Sequence, residues 1–480
     1  MPENIKKKTT DGLIWNSTER FFSKAVQFVF SVLIARILVP QHYGLIAIAN
    51  LCISLSDVIV DSGFTKALLR KKEKTDTDYG TVFWFNLVVS CLIYSVLWLI
   101  APAIGHYYGF DDLSRIIRVY TISLILNATC GIQKSHLMAT LNFRRIAILE
   151  LSAVLVSGIV AYVLAVQGAG VWSLVVQGIV NSGCRALFYW MIPDWKPRLI
   201  CSVETLKNFF SFGSRLLVSE YLGKIYSAVC SLFIGKKYST DTLGLYGKAD
   251  AFSSSPSSII ASSLYLVTYP VIAEFQNDSG RLEKNFSSMM ALSSFIVFPL
   301  MLGLVSLSND LIPLLLTEKW NGMIPFFKVL CWAYIFITLS TIPQNFLLVR
   351  GKTRSFLHIQ AISKTVGLGL LYPLSLISVN AVCIGICFCA FLTLVLLLIA
   401  VHREIHFKWG LFLRNNLTSL AMAVVMMGFI NVSTLYIDSR PLSLIVGLLI
   451  GIAAYLGLSV LSNNQNLKEV MGLVKPYVKR

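Results

Sequence analysis

The sequence predicts an all-α integral membrane protein of about 14 transmembrane helices, with two parallel six-helix lobes around a central cavity plus two C-terminal helices. Three observations carry this expectation. Apolar stretches of roughly 20 residues, the length that crosses a bilayer, recur from end to end of the 480-residue chain. The composition is 56% hydrophobic and 14% charged, with a mean hydropathy of +0.71, outside the range of soluble globular domains. Residues 29–45 (VFSVLIARILVPQHYGL) and 229–245 (VCSLFIGKKYSTDTLGL) resemble each other without a gap at an offset of 200.

The elements follow in order. MPENIKKKTTDG leads directly into a span near 13–37, so no cleaved signal peptide is expected. Spans near 43–66, 79–104, 113–132, 145–166 and 169–192 complete an N-terminal lobe over 1–192. Residues 193–208, PDWKPRLICSVETLKN, carry two prolines and basic charge, as a cytoplasmic linker should. A C-terminal lobe over 209–402 takes spans near 206–234, 242–273, 284–307, 323–348, 355–377 and 380–402. Residues 403–480 add spans near 411–431 and 441–462 and a cytoplasmic tail. The late spans are almost wholly apolar and read as scaffold or as a lipid-facing surface; Lys364 is a lone charge in the eleventh.

Orientation follows from Lys and Arg in short loops. With the amino terminus inside, the cytoplasmic segments carry Lys6, Lys7 and Lys8, Arg70, Lys71, Lys72 and Lys74. They also carry Arg144 and Arg145, Lys196 and Arg198, Arg350, Lys352 and Arg354, Arg403, Lys408, Lys475, Lys479 and Arg480. The opposite loops IGHYYGFDD, VQGAG, SVN and NVSTLYIDSR hold one basic residue between them; GKKYSTDT, with Lys236 and Lys237, is the exception. Both termini are therefore expected inside. The net charge of +17 reads as positive-inside charge against anionic lipid, and no nucleic acid partner is expected. The ten cysteines lie almost entirely in apolar segments and read as small buried hydrophobes. No metal ligand set is expected.

In the repeat, Val29, Ser31, Ile34, Gly44 and Leu45 recur as Val229, Ser231, Ile234, Gly244 and Leu245, and Arg36 recurs as Lys236. Six spans separate the copies, and an even number gives parallel halves related by an axis along the membrane normal. The flanking polar residues repeat too. Asn16, Arg20, Lys24, Gln27 and Ser31 share one helical face of the first span; Glu220, Lys224, Ser227 and Ser231 answer from the seventh. Asn50, Ser54, Asp57 and Asp61 line the second span; Asp250, Ser254 and Ser257 answer from the eighth. A charge at the bilayer centre costs about 2.5–3.5 kcal/mol on insertion scales, so such residues face water or a partner. Interhelical ion pairs or snorkelling near a helix end are the plain alternative. Lys24 and Lys224 are the strongest functional candidates, because both halves keep a lysine on the polar face. Asp57, Asp61, Glu220 and Asp250 read equally as counter-ions and as proton or cation sites. The run AFSSSPSSIIASS around Pro256 reads either as a hinge or as a static kink.

Enzyme signatures are missing: no HExxH, GxSxG or P-loop occurs. No loop is long enough to hide a nucleotide-binding or glycosyltransferase domain. Transport without ATP hydrolysis is the better reading.

The segment SVLIARILVPQHYGLIAIA and the following DSGFTKALLRKKE resemble the signature of Wzx-type polysaccharide flippases. These belong to the multidrug/oligosaccharidyl-lipid/polysaccharide exporter superfamily. The sharp motif covers residues 31–73. The resemblance implies a flippase that moves an undecaprenyl-diphosphate-linked oligosaccharide across the bacterial inner membrane for lipopolysaccharide (O-antigen), capsule or exopolysaccharide assembly. It implies alternating access and no cofactor; coupling to H+ or Na+ is an expectation that rests on the carboxylates Asp57, Asp61, Glu220 and Asp250 alone. It assigns Arg20, Lys24 and Lys224 to the diphosphate, with Arg215 and Lys248 behind them. Asn16, Gln27, Asn50, Asp57, Asp61, Glu220 and Asp250 become polar cavity or coupling positions. The expected partners are the lipid-linked oligosaccharide, the bilayer, and a glycan polymerase and glycosyltransferases around a monomer. A multidrug antiporter of the same superfamily is the alternative within transport; a non-transporting scaffold for glycan-assembly enzymes is the alternative outside it.

Overall fold

The computed structural model describes residues 22–467 except 62–63, 65–67, 69–70, 72–73, 141, 192–195, 198–199, 276–277 and 463–465. The side chains of 61, 208, 210–222, 266–267, 270 and 279 also lie outside the described set. Within that set the fold is helical: α1 (22–37), α2 (Pro40–Asp61), α3 (Asp76–Tyr108), α4 (Asp111–Tyr120), α5 (Ile122–Ala139), α6 (Phe143–Val166), α7 (Val171–Trp190) and α8 (Val203–Lys237). There follow α9 (Thr240–Glu274), α10 (Ser279–Leu316), α11 (Ile324–Val349), α12 (Thr353–Ile377), α13 (Val379–Ile405), α14 (Trp409–Thr434) and α15 (Arg440–Leu461). Among the described residues nine candidate spans are long and apolar enough to cross a bilayer, α4 and α5 counting together as one. The all-α membrane expectation holds.

Helix ends are set by local chemistry more than by hydropathy. α3 outruns its expected span at both ends. At its start, the Thr75 hydroxyl accepts from the Asp78 amide (3.2 Å) and the Asp78 carboxylate accepts from the Thr75 amide (2.9 Å), a reciprocal capping box. At its end, Gly109 takes a left-handed conformation (φ 76°) that alanine would adopt only with strain. Ser202, Asp278 and Ser378 cap α8, α10 and α13 in the same one-sided way, each accepting an amide of the first turn. The serine run of α9 is satisfied largely within the helix, Ser257 excepted. Ser253, Ser255 and Ser263 bond back four residues, and Ser254, Ser258 and Ser262 three, so the helix continues through Pro256.

Two compact units divide the chain, Met1–Gly247 and Lys248–Arg480, with the division inside α9. In the first, α2 packs on α8, α3 on α4 and α5, and α7 on both α5 and α6. An apolar cluster of Phe64, Tyr79, Val82, Phe83, Ile132 and Phe209 joins the starts of α3 and α8 to α5. Lys236, the exception to the expected loop-charge pattern, donates to the Tyr107 carbonyl and lies 4.0 Å above the Tyr107 ring. A cation at a helix C-terminus and over an aromatic face is stabilised by both.

The repeated glycines meet. A Cβ built on Gly44 would overlap the Thr240 carbonyl oxygen, and one built on Gly244 would overlap the Pro40 carbonyl oxygen. Positions 40 and 44 of one copy thus face 240 and 244 of the other, a reciprocal main-chain contact between the first turns of α2 and α9. Only glycine allows two backbones this close.

In the second unit α10 is the hub, contacting α11, α14 and α15. Phe286, Met301, Leu302, Phe346, Leu397 and Phe407 form part of its core. The last two helices are docked specifically. Ser443 donates to Asp310 (2.6 Å), Tyr455 donates to the Phe295 carbonyl (2.9 Å), and Arg440 pairs with Glu318 (2.9 Å). Gly447 and Gly451, one turn apart, let α15 close on Leu307 and Ile430.

Candidate functional site

Polar residues on membrane helices are the candidate machinery, and each unit carries its own set. In the first, α2 turns Asn50, Ser54 and Asp57 onto one face. The Tyr120 hydroxyl, at the end of α4, donates to Asn50 Oδ1 (2.9 Å). Lys224 reaches from α8 and donates to the Ser54 carbonyl oxygen at 3.1 Å, with its side chain exposed. The predicted stripes of the second and seventh spans are therefore brought together. Lys24 and Gln27 are exposed on α1. Asn16 and Arg20 lie outside the described residues, as do the side chains of Asp61, Arg215 and Glu220.

In the second unit Asp250 accepts from the Tyr334 hydroxyl at 2.7 Å. Further along the same α9–α11 seam, Ser257 and Thr338 share a 2.6 Å hydrogen bond and Asn345 donates to Thr268 (2.7 Å). Lys248 is enclosed, 3% exposed, with its ammonium 5.4 Å from the Phe252 ring centroid and 5.8 Å from that of Trp320. Asn50 and Asp250, equivalent by the offset, thus each receive a tyrosine hydroxyl, from tyrosines that are not themselves equivalent.

One constellation is absent from the sequence expectations. Glu150 of α6 is 7% exposed. Its Oε1 accepts from Lys134 Nζ of α5 (2.7 Å) and from the Tyr189 hydroxyl of α7 (3.1 Å), and its Oε2 lies 3.0 Å from Arg185 Nε of α7. The Arg185 contact is an ion pair by distance without hydrogen-bond alignment, since Nε finds no bonded partner. The sequence did carry a signal: Glu150 and Arg185 lie inside the expected fifth and sixth spans, and Lys134 lies just past the end of the fourth. Those charges have no like residue 200 positions on, where Tyr334, Arg350 and Gly385 stand instead.

The family model described as "Polysaccharide biosynthesis protein" matches residues 33–325. The chain is 24% identical over 377 residues to the teichuronic acid biosynthesis protein TuaB of Bacillus subtilis, covering 78% of this chain and 77% of that one. It is 25% identical over 334 residues to the lipopolysaccharide biosynthesis protein WzxC of Escherichia coli (68% and 67% covered). It is 23% identical over 485 residues to the succinoglycan biosynthesis transport protein ExoT of Rhizobium meliloti (99% and 97% covered). In fold it is similar to the lipid II flippase MurJ in an inward closed conformation, with a TM-score of 0.79 at 15% identity over 94% of this chain and 99% of the other. An inward-facing multidrug transporter of the MATE family superposes with a TM-score of 0.64 at 14% identity over 79% of this chain and 94% of the other.

Proposed function

Because the chain belongs to the polysaccharide biosynthesis protein family, we propose that it is a flippase for undecaprenyl-diphosphate-linked oligosaccharide units. The chain is a multi-pass membrane transport protein and not an enzyme. The flippase reading is supported by one observation, the lysine-bearing contact between α2 and α8, where Lys224 donates to the main-chain carbonyl of Ser54, on the helix whose polar face carries Asn50 and Asp57. A diphosphate suits cations in a low-dielectric setting, and sugar hydroxyls suit amides and serines. Alternating exposure of this face to the two sides of a bacterial inner membrane would carry the headgroup from the cytoplasmic to the outer leaflet. The Lys and Arg of the expected inner loops orient both termini to the cytoplasm. Asp57 and Asp250 are the described carboxylates proposed for H+ or Na+ coupling.

The test is complementation of a strain deleted for the gene. Lys24→Ala with Lys224→Ala is expected to abolish surface glycan while the protein still inserts. Full restoration of glycan by that double variant sinks the cation proposal. If drug resistance, not glycan, tracks with the gene, the multidrug antiporter reading replaces this one.

A further inference from the structure

The Lys134, Arg185 and Glu150 cluster sits at one level of the first unit. Lys134 is five residues from the end of α5, Glu150 seven from the start of α6, and Arg185 five from the end of α7. At 1.5 Å per residue, each is about 8–10 Å in from the same end of its helix. The expected topology makes that end cytoplasmic.

The charges do not balance: two cations face one carboxylate, leaving +1. A cluster serving only to hold helices together would be neutral and closed, because an uncompensated charge at membrane depth is costly. Here the carboxylate is enclosed, with its side chain 9% exposed, whereas those of Lys134 and Arg185 are 35% and 30% exposed. Lys134 uses one donor on Glu150. The terminal guanidinium nitrogens of Arg185 have no partner among the described residues, and its Nε is buried without a hydrogen bond.

The surface around the cations is polar and open. On α5, Asn127, Gly131 and Lys134 share one half-exposed face, and nothing lies within 4 Å of a Cβ built on Gly131. On α7, Gln177, Asn181 and Arg185 repeat every four residues along another. A lipid-facing surface would not carry this pattern.

We infer that Lys134 and Arg185, held by Glu150, form a receptor for the phosphate oxygens of a lipid-linked headgroup. The arginine offers a planar donor pair to a phosphate, the lysine adds a point charge, and the amides of Asn127 and Gln177 continue the surface toward sugar; the Asn181 amide nitrogen is already taken by Ser157 of α6 (3.2 Å). Glu150 is a positioning residue: its buried carboxylate sets the spacing of the two cations. This inference rests on the flippase reading and gives it a second phosphate contact, away from the Lys224 face.

The test uses full-length protein in phosphatidylcholine nanodiscs, with inorganic pyrophosphate as the probe and thermal stabilisation as the readout. Pyrophosphate is expected to raise the melting temperature of the wild type. Lys134→Gln and Arg185→Gln should each weaken that binding by about tenfold or more, the loss of one charge-assisted hydrogen bond. Glu150→Gln should keep or tighten it, because the isosteric amide oxygen still accepts from Lys134 and so keeps the spacing while the competing negative charge is gone; the variant itself melts earlier. Unchanged pyrophosphate stabilisation in either cation variant overturns the proposal; so does its loss in Glu150→Gln, which is the behaviour of a purely structural triad. Repeating the titration in nanodiscs containing phosphatidylglycerol separates the sources. A site meant for cargo still responds to pyrophosphate there, whereas saturation by the bulk anionic lipid overturns the cargo assignment. Surface glycan in cells distinguishes this inference from the reading beneath it. If binding depends on the pair but export by Lys134→Gln and Arg185→Gln is normal, the headgroup role fails; if export needs the gene but binding ignores the pair, the flippase reading survives alone.

Discussion

Alanine at Gly44 tests whether the two sequence copies truly meet. The added methyl carbon would lie 2.7 Å from the Thr240 carbonyl carbon; at Gly244 it would lie 2.7 Å from the Pro40 carbonyl carbon and 3.0 Å from the Gly44 nitrogen. Ordinary carbon–carbon contact is about 3.5–4.0 Å, and the carbonyl oxygens lie nearer still, so either methyl forces the segments apart by more than about 1 Å. The obstacle in both cases is main chain, which no rotamer change removes, and Thr240 is buried. Overpacking of this kind costs about 1–3 kcal/mol. Both methyls act on one contact, so once the first has parted the segments the second meets less resistance. The double variant should therefore lose less than the sum of the singles. Gly247 is the control: it is helical with nothing within 4 Å of a built Cβ, and alanine there should be neutral or stabilising by about 0.5–1 kcal/mol. Purified variants are compared by thermal unfolding in one detergent. A Gly44→Ala protein as stable as Gly247→Ala, or strict additivity in the double variant, refutes the contact.

Asp78→Asn removes the charge from a carboxylate that is 2% exposed, pairs with Lys71 at 2.7 Å and completes the Thr75 capping box. A loss of about 1–2 kcal/mol is expected, visible in the melting temperature and as faster proteolysis ahead of α3. Tyr334→Phe strips the hydroxyl from Asp250 and should destabilise by about 1–2 kcal/mol, whereas Asp250→Asn keeps an acceptor and should melt closer to wild type. Gly451→Leu places its branch against Ile430, whose Cδ1 would be 2.8 Å from the new Cβ. Undocking of α15 should then appear as lower yield of folded protein and an earlier melt, by about 1–3 kcal/mol.

The helices were legible because a bilayer imposes one length and one composition, so apolar runs alone placed most of them. Their ends were not, because Thr75, Gly109 and Ser378 act through single hydrogen bonds or one backbone angle that hydropathy averages away. The offset of 200 named Gly44 and Gly244 without revealing that they touch, since repetition reports likeness and not proximity. It also steered attention away from Glu150. A cluster drawn from three helices of one copy, with unlike residues in the other, leaves no trace in a search for equivalence. The contact of Lys224 with the α2 face, by contrast, joins two stripes that spacing had already put on single helical faces.

Where the copies differ is as informative as where they agree. Asn50 and Asp250 occupy equivalent positions, and each accepts a tyrosine hydroxyl, Tyr120 at 2.9 Å and Tyr334 at 2.7 Å. The shared feature is a hydrogen-bonded acceptor at one helical position; the difference is one charge. An amide cannot take up or release a proton, whereas a carboxyl group can, and its anion also attracts a cation. Any step that changes charge at this position belongs to the second copy. The neutral acceptor of the first copy lies one turn from the Ser54 carbonyl that receives Lys224. A carboxylate there would place a negative charge one turn from the carbonyl that receives Lys224, which the amide avoids. On the proposed flippase reading, this difference leaves the Lys224 side of the first copy without a carboxylate at the position where the second copy carries one.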